Sequence, residues 1–280
     1  MSTRFTGKRA IVTGGASGIG EATVRRLHAE GAHVLVADIR SEAIGTLVEE
    51  LSSERIVGHT VDMIDSARIE AMIATAAAHF GGIDILVNNA GIGSFGRITD
   101  IDIEHWREVM AIDVEAVMWA SRTAMPHLER SRGCIVNVAS VAGMAGDYGF
   151  AAYNAAKAAV INLTRSMALD HAPLVRCNVV SPGLTVTPLA AGLHGNAEVM
   201  AAWRDALPLG RPADASEVAA AIAFLASEDA SYVNGHNLVV DGGGIAHTGM
   251  PHFTRLLQGQ SHLDGMATLV TRGSTDGGAI

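Results

Sequence analysis

A tyrosine and a lysine four positions apart have residue types and a spacing that can do chemistry. The stretch "AAYNAAKAAV" (151–160) contains Tyr153, one of three tyrosines, and Lys157, one of only two lysines among the 20 lysines and arginines of the chain. Residues i and i+4 share a face of an α-helix, so the phenol and the ammonium are expected to be neighbours. A free tyrosine has a pKa of about 10. A nearby ammonium favours the phenolate, so we expect Lys157 to lower the pKa of Tyr153 and to make it an acid/base.

Ser140 is a third candidate, at the end of a predicted strand over 134–140. Its hydroxyl could hold the oxygen of a reacting group beside Tyr153. A serine hydrolase is disfavoured because Ser140 lacks the GxSxG elbow. Without a nucleotide motif, Tyr153 and Lys157 would be interpreted as an ordinary amphipathic pair, whereas with one the combination of all three residues is specific.

Such a motif is present in "TGGASGIG" (13–20), which follows a predicted strand and opens a predicted helix. Gly14, Gly18 and Gly20 permit a tight turn and a close approach of the backbone to a pyrophosphate at the helix N-terminus. The spacing is GxxxGxG rather than GxGxxG, and many turns need glycine only for their backbone shape. The strand-turn-helix context nevertheless favours a dinucleotide.

Two carboxylates close the next two predicted strands. Asp38 can accept hydrogen bonds from both hydroxyls of an adenosine ribose and would repel a 2′-phosphate, so we expect NAD rather than NADP, although Arg40 is close in sequence. Asp62 is expected near the adenine edge. Asn89, in "NNAG" (88–91), can tie neighbouring loops together and line the ribose, or it can simply form a turn.

The order of elements predicts the fold class. Short apolar runs separated by helical patterns indicate a parallel sheet that is covered on both faces, and right-handed crossovers make it doubly wound. The strands are predicted at 9–14, 33–38, 55–62, 83–89, 134–140, 175–182 and 236–242, and the helices at 18–30, 41–52, 65–80, 102–130, 150–171 and 214–227. We expect one α/β domain over 1–243, a lid within 184–212 and a C-terminal extension over 244–280.

Composition narrows the class of protein. Of 280 residues, 49% are hydrophobic and 18% are charged, which allows a large core. The net charge of −9 argues against nucleic acid as a partner. The sequence predicts no membrane span and no signal peptide, and Cys134 and Cys177 are expected to be buried free thiols in the cytoplasm. The 12 histidines form no compact ligand pattern, so no metal is expected; a site at His247 and His252 is a weak alternative.

Taken together, these residues resemble the short-chain dehydrogenase/reductase family over about residues 5–243. The matching segments are "TGGASGIG" with Asp38, Asp62, "NNAG", the serine in "NVAS", "YNAAK", "NVVSPGLTVT" (178–187), "LGRPADASEVA" (209–219) and "VVDGG" (239–243). The resemblance implies a Rossmann-like, seven-stranded sheet. It also implies hydride transfer between a nicotinamide and a secondary alcohol or ketone, which makes the chain an NAD(H)-dependent enzyme.

The resemblance also assigns roles to residues. Tyr153 would be the acid/base, Ser140 would bind the substrate oxygen, and Lys157 would also bind the nicotinamide ribose. Thr185 and Thr187 would hold the carboxamide and the phosphate. The remaining cofactor-binding positions it implies are Gly14, Ser17, Gly18, Ile19, Gly20, Met63, Asn89, Ala90, Gly91, Pro182 and Gly183. A homotetramer or homodimer is implied, with helices 102–130 and 150–171 at the contact.

One residue departs from the family pattern. Asp113, in "WREVMAIDVEAVMWA", stands where most of the family has an asparagine whose carbonyl leads through a water to the lysine and whose side chain steadies a helix irregularity. Asp113 keeps the backbone role, and its extra carboxylate would favour the Lys157 ammonium. We therefore expect an active enzyme with a shifted pH optimum.

The substrate pocket is predicted between 140–147, 91–96 and the segment after Pro182. Its side chains are mostly apolar, with Asp147 as the one obvious charge, which is expected to cap a turn. The apolar side chains predicted to line this pocket are Val141, Met144, Ile92, Phe95, Leu184 and Leu189. This favours a neutral cyclic or hydrophobic alcohol, with a sugar or polyol still possible. The extension over 244–280 is expected to pack over this mouth or at a subunit contact. Alternatives are a nucleotide-binding regulatory protein that has lost catalysis, or an epimerase or dehydratase that uses NAD internally.

Overall fold

A computed structural model describes residues 3–248, and its centre is a parallel sheet. The strands are β1 (Arg9–Thr13), β2 (His33–Asp38), β3 (Ile56–Thr60), β4 (Ile85–Asn88), β5 (Cys134–Val138), β6 (Arg176–Pro182) and β7 (Asn237–Val240). They pair in the order β3-β2-β1-β4-β5-β6-β7, and every pairing is parallel. The predicted α/β fold with a doubly wound, seven-stranded sheet is confirmed.

Helices connect the strands and cover both faces of the sheet. They are α1 (Gly18–Ala29), α2 (Ser41–Leu51), α3 (Ser66–Phe80), α4 (Ile103–Met110), α5 (Ala116–Ser131), α6 (Ala151–Asp170), α7 (Ala191–His194), α8 (Ala197–Ala206) and α9 (Ala215–Ala226). The sequence predicted a single helix over 102–130, but a π-helical turn at Ala111–Glu115 separates α4 from α5. The segment 184–212, predicted as a lid, contains α7 and α8. A capping box of Asp214 and Glu217 begins α9.

The core explains why the strands are continuous apolar runs. Side chains of a strand alternate between the two faces of a sheet, so a strand covered on both faces must be apolar at every position. Val12 of β1 packs in one cluster with Val24 of α1 and Ile222 of α9. Ile11, its neighbour in sequence, packs in a second cluster on the opposite face with Leu128 of α5.

The strand order reverses beside β1, and this determines where a ligand can enter. The chain runs outward from β1 through β2 to β3, and then crosses to β4 on the other side of β1. The connections that leave β1 and β4 therefore diverge to opposite sides, which opens a crevice at the carboxyl ends of these strands. Val12 pairs with both Val36 of β2 and Val87 of β4, so the ends of all three strands lie at one level.

The predicted thiols are buried and free. Burial raises the pKa of Cys134 to about 11 and that of Cys177 to about 12, so both are unreactive near neutral pH. Within residues 3–248, no helix is long and apolar enough to cross a bilayer, and no group of three or more His, Cys, Asp or Glu side chains is placed to hold a metal ion.

The chain divides into two compact units, Met1–Ile245 and Ala246–Ile280. Nearly all of the second unit lies outside the described residues, and so does His252. The predicted position of the extension 244–280, near the substrate mouth or a subunit contact, therefore stays a prediction.

Candidate active site

The glycine-rich turn between β1 and α1 is built for close backbone contact. Gly14 and Gly18 have positive φ angles of 60° and 53°, which side chains rarely adopt. A Cβ at Gly14 would lie 2.9 Å from the Ala90 Cα, and a Cβ at Gly20 would overlap the Gly14 carbonyl oxygen. The two ends of the turn thus pack closely against each other and against the end of β4, and the backbone of the turn lies at the N-terminus of α1, where it can contact an anionic group.

Asn89 holds this turn in place. Its side-chain amide donates to the carbonyl oxygens of Thr13 (3.0 Å) and Gly14 (3.1 Å). In return, the Thr13 hydroxyl accepts hydrogen bonds from the backbone N–H groups of Asn89 (3.0 Å) and Ala90 (3.1 Å). The prediction that Asn89 ties neighbouring loops together is confirmed, and Thr13 is a bracing residue that the sequence argument missed.

Asp38 is a buried carboxylate at the end of β2, and only 5% of it is exposed. Its two oxygens accept hydrogen bonds from the Arg40 guanidinium at 3.0 and 3.1 Å, and Oδ2 also accepts the Ala16 N–H at 3.1 Å. Burial alone would raise the pKa of Asp38, but the hydrogen bonds from Arg40 and Ala16 outweigh it and hold the pKa below its usual range. The Arg40 guanidinium also donates to the Ser17 hydroxyl at 2.7 Å, so it spans the carboxylate and the glycine-rich turn.

Tyr153 and Lys157 are neighbours on α6, as their spacing predicts. The Lys157 ammonium lies 5.3 Å from the centroid of the Tyr153 ring, and the lysine is only 5% exposed. Tyr153 is half-buried, and its ring contacts Phe150 edge to face at 6.3 Å between centroids. The phenol therefore stands at the border between the protein interior and the crevice.

Asp113 supplies a second charge at Lys157. The carboxylate is fully buried in the π-helical turn, its Oδ1 accepts the Ile92 N–H at 2.8 Å, and its Oδ2 lies 3.1 Å from the Lys157 ammonium. This last contact is a buried ion pair. Burial lowers the pKa of Lys157, but the charges of Asp113 and Tyr153 outweigh it and the pKa is raised. Lys157 is therefore held as the ammonium, as expected from Asp113.

Ser140 approaches α6 through a short turn. It precedes a 3₁₀ turn at Val141–Gly143, and its hydroxyl accepts the Ala142 N–H at 3.2 Å. A Cβ at Gly143 would lie 2.5 Å from the Lys157 carbonyl carbon, so only a glycine lets this turn pack against the backbone of α6. Gly143 is a positioning residue within the predicted pocket segment 140–147, and the sequence did not distinguish it from its neighbours.

The end of β6 and the start of the segment 184–212 form the opposite wall. The Thr185 hydroxyl donates to the Gly183 carbonyl at 3.0 Å, and Thr185 is buried. Leu184 and Ala213 exchange backbone contacts, since the Ala213 N–H donates to the Leu184 carbonyl at 2.9 Å. Both ends of the segment are thus fixed to each other, and the helices α7 and α8 project from a closed base.

These walls surround one cavity of about 710 Å³. Ser140, Tyr153 and Lys157 line it together with most of the predicted cofactor-binding residues. From the turn and the strand ends these are Gly14, Ser17, Gly18, Ile19, Asp38, Asp62 and Met63. From β4, β6 and the segment after it they are Asn89, Ala90, Gly91, Pro182, Gly183, Thr185 and Thr187. Gly20 and Asp113 lie behind the wall, where one permits packing and the other holds Lys157.

The structure corrects part of the predicted substrate pocket. Val141, Ile92, Leu184 and Leu189 line the cavity, whereas Met144 and Phe95 do not. Phe95 is 77% exposed and packs edge to face on Phe150 instead. Four further side chains line the cavity. Tyr148 and Phe150 come from the loop before α6, directly after the predicted segment 140–147, and Leu193 and Trp203 come from α7 and α8. No local pattern marks Leu193 and Trp203, since the fold of the segment 184–212 brings them to the site.

Comparisons with known proteins agree with this geometry. A family model described as enoyl-(acyl carrier protein) reductase matches residues 14–244. The meso-2,3-butanediol dehydrogenase of Serratia marcescens is 44% identical over 89% of this chain and 98% of its own length. The cis-4-hydroxycyclohexanecarboxylate dehydrogenase of Sinomonas cyclohexanicum is 42% identical over 87% of this chain and 98% of its own length. A glucose/ribitol dehydrogenase structure from Brucella melitensis, titled as a short-chain dehydrogenase/reductase, superposes with a TM-score of 0.83 at 34% identity and covers 87% of this chain and 98% of its own.

A doubly wound sheet whose crevice holds a glycine-rich turn and a serine, tyrosine and lysine defines a nicotinamide-dependent oxidoreductase. The chain belongs to the short-chain dehydrogenase/reductase family, and it is an enzyme that acts on CH–OH groups.

Proposed function

We propose that the chain is an NAD-dependent dehydrogenase that interconverts a secondary alcohol and a ketone. The observation that carries this proposal is the common cavity of Ser140, Tyr153 and Lys157 with the glycine-rich turn and Asp38. Neither the glycine-rich turn nor the Tyr-Lys pair would be sufficient alone. Their convergence on one crevice supports a reaction between a dinucleotide and an alcohol or a carbonyl.

The residues present fit a dinucleotide. The turn has no side chain of its own at Gly14 and Gly18, so it presents backbone at the N-terminus of α1, with Thr187 facing Gly18, and this suits a pyrophosphate. Asp38 supports NAD, because a buried carboxylate accepts hydrogen bonds from ribose hydroxyls and repels a 2′-phosphate. Arg40 pairs with that same carboxylate, so it also neutralises part of the repulsion. Thr185 and Thr187 would hold the nicotinamide end of the cofactor.

The roles of the protein groups follow from their chemistry. When bound, the nicotinamide accepts or supplies a hydride. Tyr153 takes the hydroxyl proton of the alcohol in oxidation and returns a proton to the carbonyl oxygen in reduction. Ser140 donates a hydrogen bond to the same oxygen and so holds it beside the phenol. The Lys157 ammonium, near the Tyr153 ring, stabilises negative charge on the phenol oxygen.

Asp113 acts through Lys157 and is therefore a positioning residue. It holds the ammonium at 3.1 Å and the backbone of Ile92 at 2.8 Å, and it does not line the cavity. This gives the α6 lysine a fixed position between the phenol and a buried carboxylate.

The test is a screen at about 340 nm, the absorption band of reduced nicotinamide, over cyclic, aromatic and polyol alcohols with NAD and NADP. For the best substrate, Tyr153→Phe is expected to lower kcat/KM by about 100- to 10,000-fold, the range for loss of a general acid/base. Cofactor binding by Tyr153→Phe, measured by NADH fluorescence, is expected to persist. Tyr232→Phe is the matched control, because Tyr232 is fully exposed and lies outside the cavity.

Two results would contradict the proposal. If the dinucleotide binds but no alcohol or ketone changes its redox state, the chain is a nucleotide-binding protein without this catalysis. If a substrate is converted without net accumulation of NADH, the reaction is an internal redox cycle such as an epimerisation or dehydration.

We also infer a cytoplasmic location and a homotetramer or homodimer. The buried reduced thiols of Cys134 and Cys177 suit a reducing compartment. The assembly is measured by sedimentation velocity, and a monomer at micromolar concentration would contradict it.

A further inference from the structure

The part of the cavity beyond the proposed cofactor site carries one charged side chain. In the described part of the chain, the charged residues that line the cavity are Asp38, Arg40, Asp62, Asp147 and Lys157. Asp38 ends β2, Arg40 follows it and Asp62 follows β3, so these three lie at the proposed adenosine end. Lys157 is paired with Asp113. Asp147 alone stands among the mostly apolar groups that surround the reacting centre.

The backbone of Asp147 is fixed beside Tyr153. Its carbonyl oxygen accepts a hydrogen bond from the side-chain amide of Asn154, the residue that follows Tyr153, at 3.0 Å. Two residues later, the Gly149 carbonyl accepts the Gly96 N–H at 2.6 Å. The loop before α6 is therefore attached at two points, and the first of these holds Asp147 against the residue next to Tyr153.

The Asp147 carboxylate is available to a ligand. It has no hydrogen-bond or ion-pair partner among residues 3–248, so the turn-capping role expected from the sequence is wrong. Asp147 is exposed at the edge of the cavity, and partial desolvation there raises the pKa of its carboxyl. An ionised carboxylate only accepts hydrogen bonds, so a ligand group that contacts it must donate one.

We propose that Asp147 is a specificity-determining residue that accepts a hydrogen bond from a second hydroxyl of the substrate. This inference rests on the proposed function, and it narrows the substrate class to small uncharged diols or polyols. The hydroxyl that reacts lies at Ser140 and Tyr153, and the second hydroxyl lies at Asp147. A substrate with a carboxylate at that position meets a like charge and, among the described residues, no free cation on the cavity wall to compensate it.

The test compares cyclohexanol, cyclohexane-1,2-diol and 4-hydroxycyclohexanecarboxylate as substrates of the wild-type enzyme and of Asp147→Asn and Asp147→Ser. The ratio of kcat/KM for the diol to that for cyclohexanol is expected to fall by about 10- to 100-fold in both variants, as for loss of a hydrogen bond to a charged group. The ratio for the hydroxy acid to cyclohexanol is expected to rise. Asp170→Asn is the matched control, since it removes one exposed carboxylate at the far end of α6.

A binding measurement separates specificity from turnover. In Tyr153→Phe protein saturated with NAD, calorimetric titration is expected to show weaker binding of the diol when Asp147→Asn is added, by the same factor relative to cyclohexanol. Unmoved ratios in both variants, or a hydroxy acid as the best wild-type substrate, would overturn the role of Asp147. If the enzyme oxidises cyclohexanol and this activity depends on Tyr153, the proposed dehydrogenase function holds whatever the result for Asp147. If it oxidises no alcohol at all, the proposed function is contradicted as well.

Discussion

Asp113 determines the charge that surrounds the acid/base. Its carboxylate is fully buried and lies 3.1 Å from the Lys157 ammonium. It therefore neutralises much of the effect that the positive charge of Lys157 would otherwise have on Tyr153. A neutral side chain at this position would leave the ammonium uncompensated. The phenolate of Tyr153 would then be favoured more strongly.

We therefore expect Asp113→Asn to move the acid limb of the pH profile of alcohol oxidation to lower pH, by on the order of one unit. Oxidation needs the phenolate to accept the proton, and an uncompensated ammonium makes the phenolate available at lower pH. The measurement is kcat/KM for oxidation across about pH 5 to 10.

The predicted shift of the acid limb to lower pH does not come from titration of Lys157 in the wild-type enzyme. The pKa of Lys157 in the folded protein is raised above its ordinary value of 10.5, so the stability from its ion pair is complete below that value and is lost only as the pH rises through the raised pKa. In the wild-type enzyme Lys157 thus stays charged across the measured range. An unmoved acid limb, or one that moves to higher pH, would exclude the electrostatic role of Asp113.

Asp38 and Arg40 are the residues that we propose to set the choice between NAD and NADP. The carboxylate disfavours a 2′-phosphate, while the guanidinium that it holds at 3.0 Å is a group that binds phosphate well. In Asp38→Ser the guanidinium is released, so we expect the ratio of kcat/KM for NAD to that for NADP to fall by about tenfold or more. Adding Arg40→Ala is expected to abolish the gain for NADP; a gain that survives would mean that another residue binds the phosphate.

At the scale of elements, the turn between β1 and α1 depends on space rather than on side chains. A Cβ at Gly20 would overlap the Gly14 carbonyl and crowd the Asn89 amide, which holds the same turn. The turn cannot relax without breaking the hydrogen bonds that join β1 to the end of β4. A change in the shape of this turn would therefore also change the proposed cofactor site.

Gly20→Ala is expected to destabilise the fold by about 1–3 kcal/mol and to abolish dinucleotide binding, because the added methyl group overpacks a rigid turn. Thermal unfolding and NADH fluorescence measure the two effects. Gly45→Ala in α2 is the control: nothing lies within 4 Å of its added Cβ, so helix propensity is expected to stabilise the fold by about 0.5–1 kcal/mol. Normal cofactor binding by Gly20→Ala would contradict the close-packed turn.

At the scale of the whole molecule, the crevice joins elements from both halves of the sheet. The turn after β1, the end of β2, the loop after β4 and the lid after β6 all line the cavity of about 710 Å³. A dinucleotide that bridges these elements binds only the folded state. Its binding free energy therefore adds to the free energy of unfolding.

We expect NAD at about 100 times its Kd to stabilise the protein by about 2.7 kcal/mol, which corresponds to a rise in Tm of about 5–10 °C. NADP at the same concentration is expected to give a much smaller rise. Differential scanning calorimetry checks both. An equal rise with the two cofactors would contradict the preference assigned to Asp38.

Much of the fold and of the site follows from local sequence. The apolar runs place the seven strands to within a few residues, and the helical patterns place the helices except for the break between α4 and α5 and the helices α7 and α8. Tyr153 and Lys157 are neighbours because a helix brings i and i+4 together. Thr13, Gly143 and Trp203 were missed. Each acts through a partner that is distant in the chain: the end of β4, the backbone of α6, and the cavity beneath the lid.

The sequence by itself determined the class of protein, because periodicity, glycine spacing and strand-end carboxylates act over a few residues and are legible without a partner. Tertiary structure decided how the charges are shared. Only packing places the Asp113 carboxylate against Lys157, brings the Arg40 guanidinium to the Ser17 hydroxyl, and leaves the Asp147 carboxylate without a partner in the described part of the chain. Electrostatic interactions depend on distance and burial, and the folded chain fixes both for residues that the sequence keeps far apart.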